Sequence, residues 1–199
     1  MNSKEIYLHH NKVTQARDFG ILLNITDSSH VQANVASQIH HPEGTIELGN
    51  EGKGIFIYAA QNNRIQDNEF SHSDTGISMA MGGEQNRLWH NRIMANQTQV
   101  KYVGDTFLEW SEQGQGNYWS EYSGWDMDGD GIGDVAHRPN DSLDKLFWLY
   151  PEAKLLMDSP VVLLLRWVER QFQPKTATGI SDSFPLVGIA PLSPIDGGF

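Results

Sequence analysis

The sequence predicts an all-β solenoid, a right-handed parallel β-helix, and three observations carry that prediction. Two short marks recur through the first half of the chain with a common period. Both marks lengthen at the same place. The apolar residues between them alternate with a period of two. The first mark is a glycine or small residue that opens an apolar step, at Gly20, Gly54, Gly76 and Thr98, in steps of 34, 22 and 22 residues. The second is an asparagine just before a short apolar step, at Asn11, Asn34, Asn68 and Asn91, in steps of 23, 34 and 23. Val31, Ile65 and Leu88 each stand three residues before one of these asparagines.

A period of 22–23 residues means that each unit is one small supersecondary piece. Leucine-rich repeats share that length, but they need leucines at fixed positions and a helix-forming stretch per unit. Here the units are rich in Asn, Gln, Ser, Asp and Gly, and Ile55, Phe56, Ile57 and Tyr58 alternate as a strand does. Each unit is therefore read as one coil of three short strands joined by turns, with one apolar side chain per strand pointing into an axial core. The recurring asparagines belong at a turn. There the side-chain amide can bond the backbone and the asparagine of the next coil. A stacking ladder is the main reading of Asn11, Asn34, Asn68 and Asn91, and a binding role is the alternative.

The predicted organisation has coils over 1–110, with a longer coil at 36–53, then a cap over 111–158, a helix over 159–173 and an extended tail over 174–199. The longer coil holds His40, His41 and Pro42 and then residues 44–49, a loop or extra hairpin at one turn, where solenoids often place function. No amphipathic cap precedes Ile6, so the chain is expected to be the C-terminal part of a longer β-helix and to associate through its N-terminal end. After residue 104 aromatic residues concentrate, and five of the six tryptophans lie from Trp110 onward. Large side chains that close the end of the core are one reading of them. The other is an exposed aromatic platform for sugar or protein. Ser159 and Pro160 suit a helix N-cap and first turn. Val161, Leu164, Leu165, Val168 and Phe172 follow at helical spacing, a face that must dock on something.

Composition removes several function classes. The chain carries 14 basic and 25 acidic residues, a net charge of −11, which argues against nucleic acid or an anionic membrane as main partner. It has no cysteine, so neither disulfides nor thiolate metal sites are open to it. The longest strictly aliphatic run, Val161 to Leu165, is too short to span a bilayer. No phosphate-loop pattern and no signal-peptide pattern is visible.

The sharpest local signal is Asp126, Asp128, Asp130, Ile132 and Asp134, with Gly131 at the sixth position. Asp at positions 1, 3 and 5 with Gly at 6 matches the first half of an EF-hand-type loop, with the Ile132 carbonyl and Asp134 at positions 7 and 9. Four carboxylates within nine residues repel one another, and a hard divalent cation relieves that repulsion. Calcium is the expected ion, against a solvated Asp-Gly turn. The bidentate Glu of position 12 is missing, because His137 stands there.

The run Asn117, Tyr118, Trp119, Ser120, Glu121, Tyr122, Ser123, Gly124, Trp125 into the Asp-Gly block resembles the NosD proteins. Their C-terminal region reads N-Y-W-S-x-Y-x-G-x-D-x-D-G-D-G-I-G-D, followed by a Ser-Pro helix. The resemblance implies a periplasmic β-helix accessory protein that helps to mature the copper sites of nitrous oxide reductase, rather than an enzyme. It implies as partners the membrane permease and cytoplasmic ATPase of an ABC-type transporter, a copper-carrying lipoprotein and apo nitrous oxide reductase. Trp119, Tyr122, Trp125 and Trp167 are the candidate docking residues.

Copper ligands follow from chemistry alone. Without thiols, Cu(I) prefers imidazole and thioether, so His9 with His10, His40 with His41, and Met79 with Met81 are the candidates. Adjacent residues on a strand point to opposite sides, so a His-His pair can chelate only at a bend. Met79 and Met81 alternate with Ile77, a pattern more often found in cores. The competing function is a carbohydrate-active or carbohydrate-binding β-helix protein. An enzyme of that kind needs clustered carboxylates, whereas among the acids of the repeats only Asp67 and Glu69 are near neighbours.

Overall fold

The computed structural model describes residues 3–42, 51–83, 85–140, 142–171 and 178–189. Three parallel sheets run along one axis. One stacks Tyr7–His9, His30–Gln32, Arg64–Gln66 and Arg87–Trp89. The second stacks Lys12–Thr14, Val35–Ser37, Glu69–Ser71, Arg92–Met94 and Tyr118–Trp119. The third stacks Phe19–Asn24, Lys53–Tyr58, Thr75–Ala80 and Thr98–Tyr102. This is the parallel β-helix that the repeats predict. Each strand is in register with its equivalent one coil on, as in Leu8↔Val31↔Ile65↔Leu88.

The register turns the repeat into a core. Ile21, Ile55, Ile77 and Val100 form one buried column, and Ala36, Phe70, Ile93 and Trp119 another. Each coil is roofed by the next, so small β-branched residues are buried completely although each strand is only a few residues long.

The corners are built by single residues in the left-handed conformation. His10, Ala33, Asp67 and His90 have φ of 55, 53, 56 and 57° and each precedes a ladder asparagine. Gln15, Gln38, His72 and Ala95 repeat the device after the second sheet. This conformation costs a non-glycine residue roughly 1–2 kcal/mol, and the hydrogen bonds at the corner offset it.

Those bonds form the expected ladder. The Nδ2 of Asn11, Asn34, Asn68 and Asn91 donates to the Oδ1 of the next asparagine at 2.9–3.0 Å, with Asn117 as the last acceptor. The backbone N–H at each step donates to the same Oδ1. Two further ladders were not anticipated: Ser29, Asn63 and Asn86, and Ser73 with Asn96. Their spacing repeats the same 34 and 23, so the signal was present in the sequence.

The lengthened coil is tied at its neck by Asp74. Its carboxylate accepts from the backbone N–H of His41 and of Gly52 and meets His40 Nδ1. Residues 43–50, where the extra loop or hairpin was expected, lie outside the described residues, as do 172–177 and 190–199 of the expected helix end and tail.

The C-terminal end differs from the expected division. The stack runs on to Tyr118–Trp119, inside the stretch assigned to a cap. Gly179–Ser181 pairs in parallel with Phe107–Glu109, and residues as far as Leu186 cross the end of the stack. One helix is expected, over 159–173, and the structure adds another inside the stretch assigned to the cap. Ser142–Leu149 is α1, a 3-10 turn covers Pro151–Leu156, and Pro160–Gln171 is α2. Ser159 caps α2, its Oγ accepting from the Val162 N–H, as expected.

Candidate functional site

The two histidine pairs have different surroundings. His9 ends a strand and His10 occupies the left-handed corner position, so the alternation of side chains is broken between them. Their Nδ1 atoms lie 2.9 Å apart and their rings are edge-on at 89°. The bend that a chelating pair requires is present here. The Tyr7 ring packs on His9 at 4.9 Å and on His30 at 5.7 Å, and its hydroxyl donates to Gln32 Oε1.

At the second pair, His40 Nδ1 lies 2.7 Å from Asp74 and His41 Nδ1 lies 3.6 Å from Asp18. Each ring faces its own carboxylate, and both belong to the neck of the longer coil. Burial opposes ionisation of Asp74. His40 and the N–H groups of His41 and Gly52 outweigh it and hold the carboxyl below its usual range.

Met79 and Met81 do not form a pair. Met79 is 3 % exposed in the core, whereas Met81 lies beyond the strand end at φ 59° and is 70 % exposed. The reading of all three of Ile77, Met79 and Met81 as one strand face holds only for the first two, because the strand ends at Ala80.

Carboxylate oxygens of Asp126, Asp128 and Asp130 lie within 4.8 Å of one another. The loop folds onto its own acids. Asp126 accepts from the N–H groups of Gly129 and Gly131, Asp128 from Asp130, and Asp130 from Ile132. Donation from Gly131 holds Asp126 below the usual carboxylate range. Gly129 and Gly131, at φ of 77° and 87°, supply the turns. Asp134 does not join this group, because its Oδ2 accepts from the Met127 N–H. The three aspartates fit a hard cation, since each carboxylate keeps lone pairs beyond those the loop uses. Two further positions fit less well: Asp134 is turned to the backbone, and His137 packs against Trp119 and Tyr122.

The expected docking aromatics divide. Trp119 is a correction: it is 1 % exposed, stacks on Trp110 and donates from Nε1 to Asp182 Oδ2. Its inward side is set by pairing with Ile93 in the second sheet. Tyr122 is half-buried and donates to the Val135 carbonyl. Trp125 and Trp167 are exposed.

Asp182 is the residue that sequence reasoning missed. It is fully buried and receives the end of the ladder, accepting from the Asn117 N–H at 2.6 Å and from Asn117 Nδ2. Burial pushes its carboxyl up, against the donation from Asn117 and Trp119. Nothing local marks it, since it lies 65 positions from Asn117. Gly116 is required beside it, because a Cβ there would stand 1.8 Å from Asp182 Oδ1.

The helical arm exposes a run of large apolar side chains. Leu146, Leu149, Tyr150, Leu155, Val161, Leu164 and Trp167 are all exposed, Leu155 at 92 %. Only Val162 of the apolar residues on α2 is buried, and Phe147 on α1. Arg166 joins the two helices through Asp144 at 2.8 Å. Lys145 and Asn140 hold the arm to the last coil through Asp105 and the Val100 carbonyl.

The family model of NosD, described as periplasmic copper-binding protein, matches residues 1–124. The chain belongs to the NosD family. It is 42% identical over 190 residues to the probable ABC transporter binding protein NosD of Stutzerimonas stutzeri, covering 94% of this chain and 44% of that protein. The protein of the same name from Pseudomonas aeruginosa is 41% identical over 194 residues, covering 96% and 45%. The chain thus spans less than half the length of the NosD relatives it matches. No helix among the described residues is long and apolar enough to cross a membrane.

Proposed function

We propose that this NosD family member is a periplasmic accessory scaffold for copper delivery during maturation of nitrous oxide reductase, not an enzyme. It works with the permease and ATPase of an ABC-type transporter and with a copper-carrying lipoprotein, and it presents copper to the apo reductase. The observation that carries this reading is family membership, with two relatives both named as probable ABC transporter binding proteins. The exposed helical arm supports it as the transporter-facing part, since contiguous apolar surface marks interaction sites. Trp125, Trp167 and Tyr122 remain docking residues in this proposal.

Calcium belongs to the same reading as a structural ion of the 126–134 loop, bound through Asp126, Asp128 and Asp130. Copper is cargo rather than a resident cofactor.

The test is the copper content of nitrous oxide reductase from cells that lack this protein, with and without the full chain restored. Loss and recovery of copper are expected. Unchanged copper in the reductase would overturn the reading. A variant with Leu164→Ser and Trp167→Ser is expected to fold and to lose co-purification with the permease.

A second reading has one observation in its favour. Arg64, Arg87, Trp89, Glu112, Gln113 and Gln115 line a shallow groove of about 260 Å³, a mixture of charge and aromatic surface suited to sugars. Release of products from a uronate polysaccharide would favour it.

A further inference from the structure

We infer that the corner formed by His9 and His10 is a two-coordinate acceptor site for Cu(I), ligated by the Nδ1 atoms of both rings. The inference rests on the copper-delivery reading and names the residues that would take the cargo.

The geometry argues for ligation. Successive strand residues diverge, and His9 and His10 converge only because His10 sits at φ 55°. The residues in the equivalent corner positions are Ala33, Asp67 and His90, so the corner itself does not need histidine. At 2.9 Å between Nδ1 atoms, one nitrogen must carry a proton and the other must accept it. That hydrogen bond lies in solvent, where it contributes little. Replacing the shared proton by a metal requires the nitrogens to separate to roughly 4 Å, since metal–imidazole bonds are about 2.0 Å. His10 is exposed and is the ring that moves, while His9 keeps its contact with Tyr7. The Tyr7 ring, fixed by its bond to Gln32, braces His9 from one side.

The contrast with the other histidines strengthens the assignment. His40, His41, His90 and His137 each have a carboxylate within 4 Å, at 2.7, 3.6, 2.5 and 3.8 Å. Among the described residues His9, His10, His30 and His72 have none, and of these four only His9 and His10 bring two ring nitrogens together. A pair of imidazoles without carboxylates is a site of low charge, and it suits a monovalent ion better than a divalent one. Imidazole is a good ligand for copper, and a chain without cysteine has no softer donor than histidine and methionine. Of the methionines weighed, Met79 is in the core. Two ligands in solvent leave the ion accessible, as a cargo that must be handed on requires.

The test is an anaerobic titration of the full chain with Cu(I) in competition with a coloured chelator, read together with X-ray absorption of the loaded protein. The expected result is one Cu(I) bound by two nitrogens. His10→Asn keeps the corner, since Asn tolerates the left-handed conformation. It should weaken Cu(I) binding by more than the roughly 10- to 100-fold that loss of an outer-shell partner costs. His9→Asn should do the same, and His40→Asn should change nothing. Melting curves of the variants separate loss of a ligand from loss of fold. Wild-type Cu(I) affinity in folded His10→Asn overturns the site. So does equal loss of Cu(I) and Zn(II), which would reduce the pair to a general surface chelator. If His9→Asn and His10→Asn bind no copper yet restore copper to the reductase in cells, the site falls and the scaffold reading stands. If the wild-type chain also fails in cells, the scaffold reading falls by itself.

Discussion

The coil stack and the helical arm solve the same problem in opposite ways. Both are built from short elements rich in aliphatic residues. In the stack each coil is covered by the next, so Ile55, Ile77 and Ile93 are completely buried. In the arm α2 is tied to α1 through Arg166, which meets Asp144 and the Phe147 ring. Val161, Leu163, Leu164, Leu165 and Trp167 stay in solvent although the helix is well capped. The lesson is that amphipathic spacing predicts an element but not its cover. A periodic stack carries its own partner with it, and a lone helix does not.

The largest expected effect would sharpen this contrast. Trp119→Ala removes a buried ring that stacks on Trp110 and bonds Asp182, and it should cost about 3–5 kcal/mol. A denaturant melt checks this. If Trp119 were a surface docking residue, the melt would hardly move.

The ladder comes next. Asn68→Ala leaves the Val31 carbonyl without its donor and the Asn34 N–H without its acceptor, both within the stack. Each buried group left unpaired costs about 1–3 kcal/mol, so a loss of roughly 3 kcal/mol is expected in the same melt.

The 126–134 loop tests whether an exposed end can be held by an ion instead of a core. If calcium binds there, stripping it with a chelator should remove about 2–3 kcal/mol at calcium levels near 100 times the dissociation constant. A thermal melt unmoved by chelator and by added Ca²⁺ would reduce the loop to an Asp-Gly turn.

A smaller, pH-dependent effect belongs to His90 and Asp67, stacked at successive corners 2.5 Å apart. The Asp67 hydrogen bond raises the His90 pKa, and the His90 bond lowers that of Asp67. The histidine contribution is complete below its unfolded value near 6.5 and is lost as pH rises through the raised one. The aspartate contribution is present above 3.8 and is lost as pH falls through the lowered one. Stabilisation by the pair is therefore greatest between about pH 4 and 6.5. Melting temperature against pH should show that window in the wild type and lose it in His90→Gln.

The smallest expected effect on stability is in the arm. Trp167→Ala and Leu155→Ser should each change the melt by no more than about 0.5 kcal/mol, as exposed substitutions do. A large loss would show that α2 packs on the stack in solution and would break the comparison.

Much of the candidate site was legible and part of it was not. The Asp-Gly loop could be read because its acids are local and the hydrogen bonds its carboxylates accept span at most seven residues. The histidine pairs could be found, but their difference could not. Alternation predicts that neighbouring side chains diverge, and only the left-handed corner at His10 makes them meet. His40 and His41 looked equivalent to them until Asp74 and Asp18, both far along the chain or in another turn, took up their rings. Trp119 was misjudged because a tryptophan beside a tyrosine and a glycine-rich block reads equally well as a cap or a platform.

Residue type and spacing by themselves determined the solenoid, its core columns and its asparagine ladder. The physical reason is translation: a residue that recurs at one period meets its own copy in the next coil, so a local pattern already specifies a contact. α1 and the closure of the ladder by Asp182 lie outside that symmetry. They join segments that occur once, as the 65 positions between Asn117 and Asp182 illustrate. Only the tertiary structure decided which of those segments would meet, because no repeat carries the information.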